Sequence, residues 1–398
     1  MRLSPLFRGV LTAATLATIM VVGCGGGGTS ITDTGLATVA WRWDLPKNFP
    51  VPAVPADNPM SEAKFQLGRF LFYDKRLSGN GTTACASCHL QNLAFTDGKM
   101  VSTGSTGQNT PRNSMPLANG VYHVNFTWAR PDLTSLEQQM QIPLYATNPI
   151  EMGLTESNEA GVLLRFKNDT DYARQFKEAF PGETDPIQIG NAIKAIATFQ
   201  RGILSGDSKF DRVAKGLTAF TLAEKNGADL FFTEKAECFH CHGTHNFDEN
   251  IVYTGQRFEE IPQFHNTGLY NIDGLGGFPA PNRGVFEMTN LPEDMGAFRP
   301  QTLRNVAVTA PYMHDGTIAT LEEVVAFYAA GGRNIPSGQP NAGDGRLNPY
   351  KDSLIPAINL SLQEQADMVA FLKTLTDETL LTTPRYANPF PQGSANNP

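Results

Sequence analysis

Cys85-Ala86-Ser87-Cys88-His89 and Cys238-Phe239-His240-Cys241-His242 decide the reading of this chain. Each is a Cys-x-x-Cys-His pentapeptide, the pattern for covalent attachment of c-type haem. The spacing follows the chemistry. Two thiols add across the two vinyl groups of the macrocycle, and the adjacent His supplies the proximal iron ligand. A four-sulfur zinc site would not need a His directly after each cysteine pair. Two disulfides would leave both histidines unexplained. The motifs use four of the five cysteines, so the sequence predicts two covalently bound c-type haems.

The fifth cysteine, Cys24, follows a different kind of segment. Residues 1–23 carry Arg2 and Arg8 ahead of an apolar run from Val10 to Val22, the layout of an export signal. The run is too short, and too closely followed by glycine, for a membrane span. Val21-Val22-Gly23-Cys24 resembles a bacterial lipobox, in which the cysteine becomes the lipidated mature N-terminus. Residues 24–55 then read as a tether and lead-in, with Gly25 to Gly28 supplying flexibility. An ordinary secretory signal cleaved nearby is the alternative. Both place the protein outside the cytoplasm. The lipid anchor places it on the periplasmic side of a bacterial envelope, at the outer membrane.

Composition fits a globular chain. Its 398 residues are 41% hydrophobic, enough for two domains after the signal. The net charge is −8, and loss of Arg2 and Arg8 with the signal leaves −10. That balance argues against nucleic acid or an anionic membrane surface as a partner. Membrane contact is expected only through the lipid.

The chain repeats a plan. A helix is expected near Asn58-Pro59, with Pro at the first helical position. It carries Gly68 and precedes the first haem motif. Thr221-Leu222-Ala223-Glu224 makes a capping box, and its helix carries Gly227 before the second motif. Apolar periodicity marks a closing helix in each half, at 192–199 and at 368–375. The latter follows the capping box Ser361-Leu362-Gln363-Glu364. Glycines at matched places suggest close helix crossings. The expected fold is mainly α: two cytochrome c-like helical haem domains, 56–212 and 213–380, with long irregular loops. A polar tail, 381–398, is either disordered or laid across the first domain.

Several stretches resemble one family, the bacterial dihaem cytochrome c peroxidases and MauG. They are Phe72-Tyr73-Asp74-Lys75-Arg76-Leu77-Ser78, Asn148-Pro149-Ile150-Glu151-Met152, Leu303-Arg304-Asn305 and Thr309-Ala310-Pro311-Tyr312-Met313-His314-Asp315-Gly316. Trp43-Asp44-Leu45-Pro46, Ser78-Gly79-Asn80-Gly81 and Gly104-Ser105-Thr106-Gly107 are similar to the MbnH subfamily.

The resemblance implies roles. In the peroxidase branch a His in the loop before a segment like Arg112-Asn113 often caps the first haem. Here residues 97–112 hold no His, and Gln108 and Asn109 stand there instead. An open first haem is therefore expected, with His123 as the alternative cap. The second haem's ligand is expected fourteen residues after His314, at Tyr328. Simple peroxidases carry Met there and MauG carries Tyr; a phenolate is a hard anionic donor. Met288, Met295 and Met313 are rival caps. By itself Tyr328 also reads as a core aromatic on a helix begun by Thr320 and Glu323. Glu151 matches the family's distal carboxylate, the acid–base group for peroxide, although a lone Glu is ordinarily a solvated charge. Gln139 matches a nearby amide and Pro143 a packing residue. Trp128 matches the Trp between the haems, though a Trp is more often simply packed. Asn113, Thr309 and Pro311 match a calcium site of amide and carbonyl oxygens. His240, His245 and His265 match nothing and are expected to be exposed.

The function expected is a peroxide-dependent dihaem oxidase. It takes hydrogen peroxide, forms a high-valent dihaem state, and oxidises a residue, Trp by analogy, of a secreted MbnP-like partner. One alternative is a cytochrome c peroxidase fed by a small cytochrome c or a cupredoxin. Another is a non-catalytic electron carrier with both irons closed.

Overall fold

Side-chain caps start most of the longer helices. In the computed structural model, which describes residues 41–256 and 263–398, the capping boxes at Thr221/Glu224, Thr320/Glu323 and Ser361/Glu364 are all formed. Each satisfies amides that the first helical turn cannot pair internally. The helices are α1 (Glu62–Tyr73), α2 (Leu136–Tyr145), α3 (Glu159–Lys167), α4 (Thr170–Ala179), α5 (Ile189–Arg201), α6 (Lys209–Ala214), α7 (Leu222–Phe231), α8 (Phe239–His242), α9 (Phe286–Thr289), α10 (Leu321–Ala329), α11 (Leu362–Lys373) and α12 (Glu378–Thr382). The strands among the described residues are two-residue pairs: β1 (His265–Asn266) with β2 (Ala297–Phe298), and β3 (Asn334–Ile335) with β4 (Gly343–Asp344), both antiparallel. The protein is thus predominantly helical.

The start of α1 differs from the expectation at Asn58-Pro59. Ser61 is the cap, its hydroxyl accepting from the Lys64 amide at 3.2 Å. Asn58 is fully buried instead, its amide nitrogen bonded to Glu137 Oε1 and the Lys194 carbonyl. It therefore anchors the lead-in before the helix begins.

Glycine sets the two main helix crossings. A Cβ on Gly68 of α1 would lie 1.9 Å from the Ala195 carbonyl oxygen of α5. One on Gly227 of α7 would lie 2.0 Å from the Asp367 carbonyl oxygen of α11. In each half, then, the helix ahead of the haem motif crosses the half's last long helix at a glycine. The described residues belong to one compact unit. Within it one apolar core gathers Phe65, Phe72, Phe95, Phe166 and Phe199, and another gathers Phe231, Phe247, Val325 and Phe371. A third, around Leu269, Phe278, Phe298 and Phe327, flanks the second. Helix α6 spans the expected boundary at 212/213 and α12 spans 380/381, so neither position is a break between elements.

The C-terminal residues pack on α1: Phe390 meets Phe70 edge-on at 5.5 Å and Tyr73 donates to the Tyr386 carbonyl at 2.8 Å. No helix among the described residues is long and apolar enough to cross a membrane. The expected signal 1–23, Cys24 and the tether as far as residue 40 lie outside the described residues.

Candidate functional site

Both Cys-x-x-Cys-His motifs fold into the same local device. His89 and His242 are each followed by a left-handed Phe, Phe95 at φ +65° and Phe247 at φ +54°. That conformation is uncommon for a residue with a side chain. Here it belongs to the Phe whose carbonyl meets the ring: His89 Nδ1 lies 2.7 Å from the Phe95 oxygen, and His242 Nδ1 lies 2.8 Å from the Phe247 oxygen. A carbonyl only accepts, so Nδ1 carries the hydrogen and Nε2 keeps its lone pair, the tautomer of a metal-ligating His. Burial lowers the pKa of both imidazoles, which favours the neutral form a ligand needs. The four cysteines are unpaired thiols, and burial pushes Cys85 and Cys238 up to about 12.

Each motif opens on a cavity. The first is bordered by Cys85, Cys88, His89, Gln139, Pro143 and Glu151. The second lies beside Cys238, Cys241, His242, His314 and Tyr328. In each, a largely apolar wall meets the cysteine pair and the His, the lining a covalently held macrocycle needs.

Arg299 supports the same fit. It borders both cavities and is 3% exposed. Its Nη2 donates to Gln301 Oε1 at 2.8 Å, but Nε and Nη1 have no partner among the described residues. Burial pushes its pKa down to about 10. A buried cation short of acceptors is costly, and the carboxylate arms of haem are the kind of acceptor it lacks. No sequence signal marks Arg299, which stands alone in Phe298-Arg299-Pro300.

Glu151, Gln139 and Pro143 therefore meet in one cavity. Burial raises the pKa of the Glu151 carboxyl. Its backbone is fixed from the His-free loop: the Glu151 carbonyl accepts from the Ser105 amide at 2.7 Å, and Gln108 Oε1 accepts from the Ile150 amide at 2.6 Å. A Cβ on Gly104 would lie 2.0 Å from the Ile150 carbonyl oxygen, so only glycine fits there. Gln108 thus supports the Glu151 segment, and Asn109 Oδ1 accepts from Thr103. His123 also borders this cavity, with its Nε2 3.1 Å from Asp248 Oδ2 and 3.3 Å from Asn246 Nδ2.

At the second cavity Tyr328 is half-buried, and its hydroxyl makes no hydrogen bond with a described residue. Burial pushes its pKa up. Of the three rival methionines only Met313 borders this cavity; Met288 is 40% exposed and Met295 packs in the third core. Trp128 lies on the second cavity's wall. Its indole donates to the Asn113 carbonyl at 2.9 Å, and its carbonyl accepts from the Arg299 amide at 2.8 Å. Asn113, Thr309 and Pro311 border the same cavity.

Two expectations of exposure fail. His265 is 8% exposed, its Nδ1 2.5 Å from Asp352 and its Nε2 2.5 Å from Glu249. Burial lowers its pKa, but Cys241, Glu249 and Asp352 outweigh that and push it up to about 11. His245 packs against Tyr122 and Phe49, and burial lowers its pKa to about 4. Both gather partners from distant segments, which spacing cannot display. His240 is exposed, as read.

Comparison with known proteins agrees with this site. A family model for di-haem cytochrome c peroxidase matches residues 62–219. Cytochrome-c peroxidase IdrP1 of Denitromonas iodatirespirans is 36% identical, over 82% of this chain and 85% of its own. The methylamine utilization protein MauG of Methylorubrum extorquens is 32% identical, over 91% and 92%. A crystal structure of a MauG-like protein associated with microbial copper homeostasis is 56% identical, with a TM-score of 0.86 over 88% of this chain and 99% of that one. The chain belongs to the di-haem cytochrome c peroxidase family that includes MauG, a family of haem-dependent oxidoreductases.

Proposed function

We propose that this protein uses hydrogen peroxide to oxidise a residue, Trp by analogy, on a secreted partner protein. The observation that carries the reading is Tyr328, a half-buried tyrosine that borders the same cavity as Cys238, Cys241 and His242. When bound, the two haems supply the iron chemistry that accepts peroxide and holds the oxidising equivalents.

The chain's own residues divide the remaining work between two cytochrome c-like domains. Cys85, Cys88, Cys238 and Cys241 would attach the haems, and His89 and His242 would offer Nε2 to iron. Tyr328 would supply a second donor at the second haem, as a phenolate once its proton is lost. The first haem would keep a free position, because His123 is held by Asp248 and the loop 97–112 offers no His. Glu151 would take a proton from peroxide in the first cavity and return it to the departing oxygen, with Gln139 beside it to orient the substrate. Trp128, tied to Asn113 and Arg299, relays electrons between the sites.

The carbonyls of Thr309 and Pro311 and the Asn113 Oδ1 accept no hydrogen bond from a described donor. Three free oxygen donors suit a calcium ion, completed by water. We place the mature protein at the periplasmic face of the envelope, anchored through Cys24.

The partner is to be sought among secreted proteins encoded beside this one. The 56%-identical structure described as associated with copper homeostasis directs attention to an MbnP-like candidate. Mixing the haem-loaded protein, peroxide and that candidate, followed by peptide mass mapping, tests the reading. Oxygen added at one tryptophan, and lost with Glu151→Gln, is expected. Fast peroxide turnover sustained by a reduced small cytochrome, with the candidate unmodified, overturns it. That result would favour the cytochrome c peroxidase reading, which Met313 at the second cavity keeps available.

A further inference from the structure

The Trp43-Asp44-Leu45-Pro46 stretch takes no part in the site above, yet its rings lead back to it. Trp43 and Trp41 meet edge-on with centroids 5.4 Å apart. Trp41 lies 5.5 Å from Phe65, Phe65 lies 5.3 Å from Phe199, and Phe199 lies 5.1 Å from Phe72. Phe72 is 6.4 Å from the imidazole of His89. The three phenylalanines are fully buried, whereas Trp41 and Trp43 are half-buried. A continuous file of aromatic rings, each within ordinary aromatic contact, thus runs from the first haem's proximal ligand to the tryptophan pair.

The chemistry of these rings differs. Phenylalanine is hard to oxidise and serves only as a bridge. Two tyrosines adjoin the file, Tyr73 at 5.2 Å from Phe72 and Tyr386 at 6.4 Å from Phe65. A phenol must lose its proton when it loses an electron. The Tyr73 hydroxyl donates to a peptide carbonyl, which is no base, and burial raises its pKa. An indole can lose an electron and keep its proton. Trp41 carries the Arg385 guanidinium 5.5 Å from its ring, even with Glu62 as that cation's partner. A neighbouring cation disfavours a positive hole. Trp43 has no such cation over it among the described residues, so the hole rests there.

We propose that this file of rings is an exit route that delivers oxidising equivalents to Trp43 when no partner protein is docked. The inference rests on the peroxide chemistry proposed above. Hydrogen peroxide is the oxidant and is reduced by two electrons. Both electrons come from the Trp43 indole through Trp41 and the phenylalanines. Water adds its oxygen to the oxidised indole, and two protons pass to solvent. In sum, one peroxide and one tryptophan give one hydroxylated tryptophan and one water. The equivalents are spent at the periphery rather than on the haem or on residues around it.

The test uses the haem-loaded full chain with a few equivalents of peroxide and no partner, followed by peptide mass mapping and freeze-quench EPR. Oxygen should appear at Trp43 several-fold more than at Met100 and Met288, which are 52% and 40% exposed and report oxidation by free peroxide. A tryptophan radical, altered by indole-deuterated tryptophan, should be absent in Trp43→Phe. That variant should lose its haem absorbance several-fold faster per peroxide while still oxidising the partner protein. Phe199→Leu, which interrupts the file, should lower Trp43 oxidation several-fold with the resting spectrum unchanged. If the partner is oxidised while Trp41 and Trp43 stay unmodified, the exit route falls and the proposed function stands. If neither partner nor tryptophan is oxidised and peroxide leaves the spectrum unchanged, both fall. Equal oxidation of Met100, Met288 and Trp43 also overturns the exit route.

Discussion

At the scale of single residues, two side chains carry the largest consequences. Glu151 has a carboxyl whose pKa is raised by burial. A base acts only when ionised, so the acid limb of the peroxide reaction should lie above the ordinary carboxylate range. Glu151→Gln should remove that limb and slow the reaction by about 10²–10⁴-fold, the usual contribution of a positioned acid–base group. A pH profile of the pre-steady-state rate checks both. Tyr328→Phe keeps the ring and removes the oxygen. If Tyr328 only packs, the resting spectrum should hardly change. As the ligand, its loss should leave the second haem high-spin or capped by another donor bordering that cavity, Met313, Met368 or His314. That Glu151 and Tyr328 border the two cavities was legible from sequence, Glu151 within a matched stretch and Tyr328 fourteen residues after His314. Arg299, with two nitrogens unpaired among the described residues, had no such offset, and its place beside both cavities arises only when distant segments meet.

At the scale of elements, local chemistry was readable wherever it was short-range. A capping box needs four residues, and all three boxes formed. Asn58-Pro59 misled because Asn58 is satisfied by Glu137 and Lys194, partners far along the chain. The glycine crossings were readable as a matched pair, and they support a contrast between substitutions. Gly227→Ala places a methyl 2.0 Å from a backbone oxygen. It should destabilise by about 1–3 kcal/mol, the usual cost of overpacking. Gly161→Ala in α3 meets nothing within 4 Å and should stabilise by up to about 1 kcal/mol through helix propensity. Chemical denaturation of the haem-loaded protein measures both, and the opposite signs separate crowding from propensity.

At the scale of the whole molecule, the two Cys-x-x-Cys-His motifs announced the family, because covalent haem attachment fixes both cysteine spacing and ligand. The long connections were less legible. They carry little periodicity, yet they supply Arg299, His265 and His314 to the second half. A calcium ion held by Asn113, Thr309 and Pro311 predicts about one calcium per chain by elemental analysis, lost in Asn113→Ala. EPR of the resting, fully oxidised protein without added reductant separates one open and one closed iron from two closed ones. One high-spin haem, open beside Glu151, and one low-spin haem, closed by Tyr328, are expected. Two low-spin signals would contradict this, since a capped first haem leaves peroxide no place to bind.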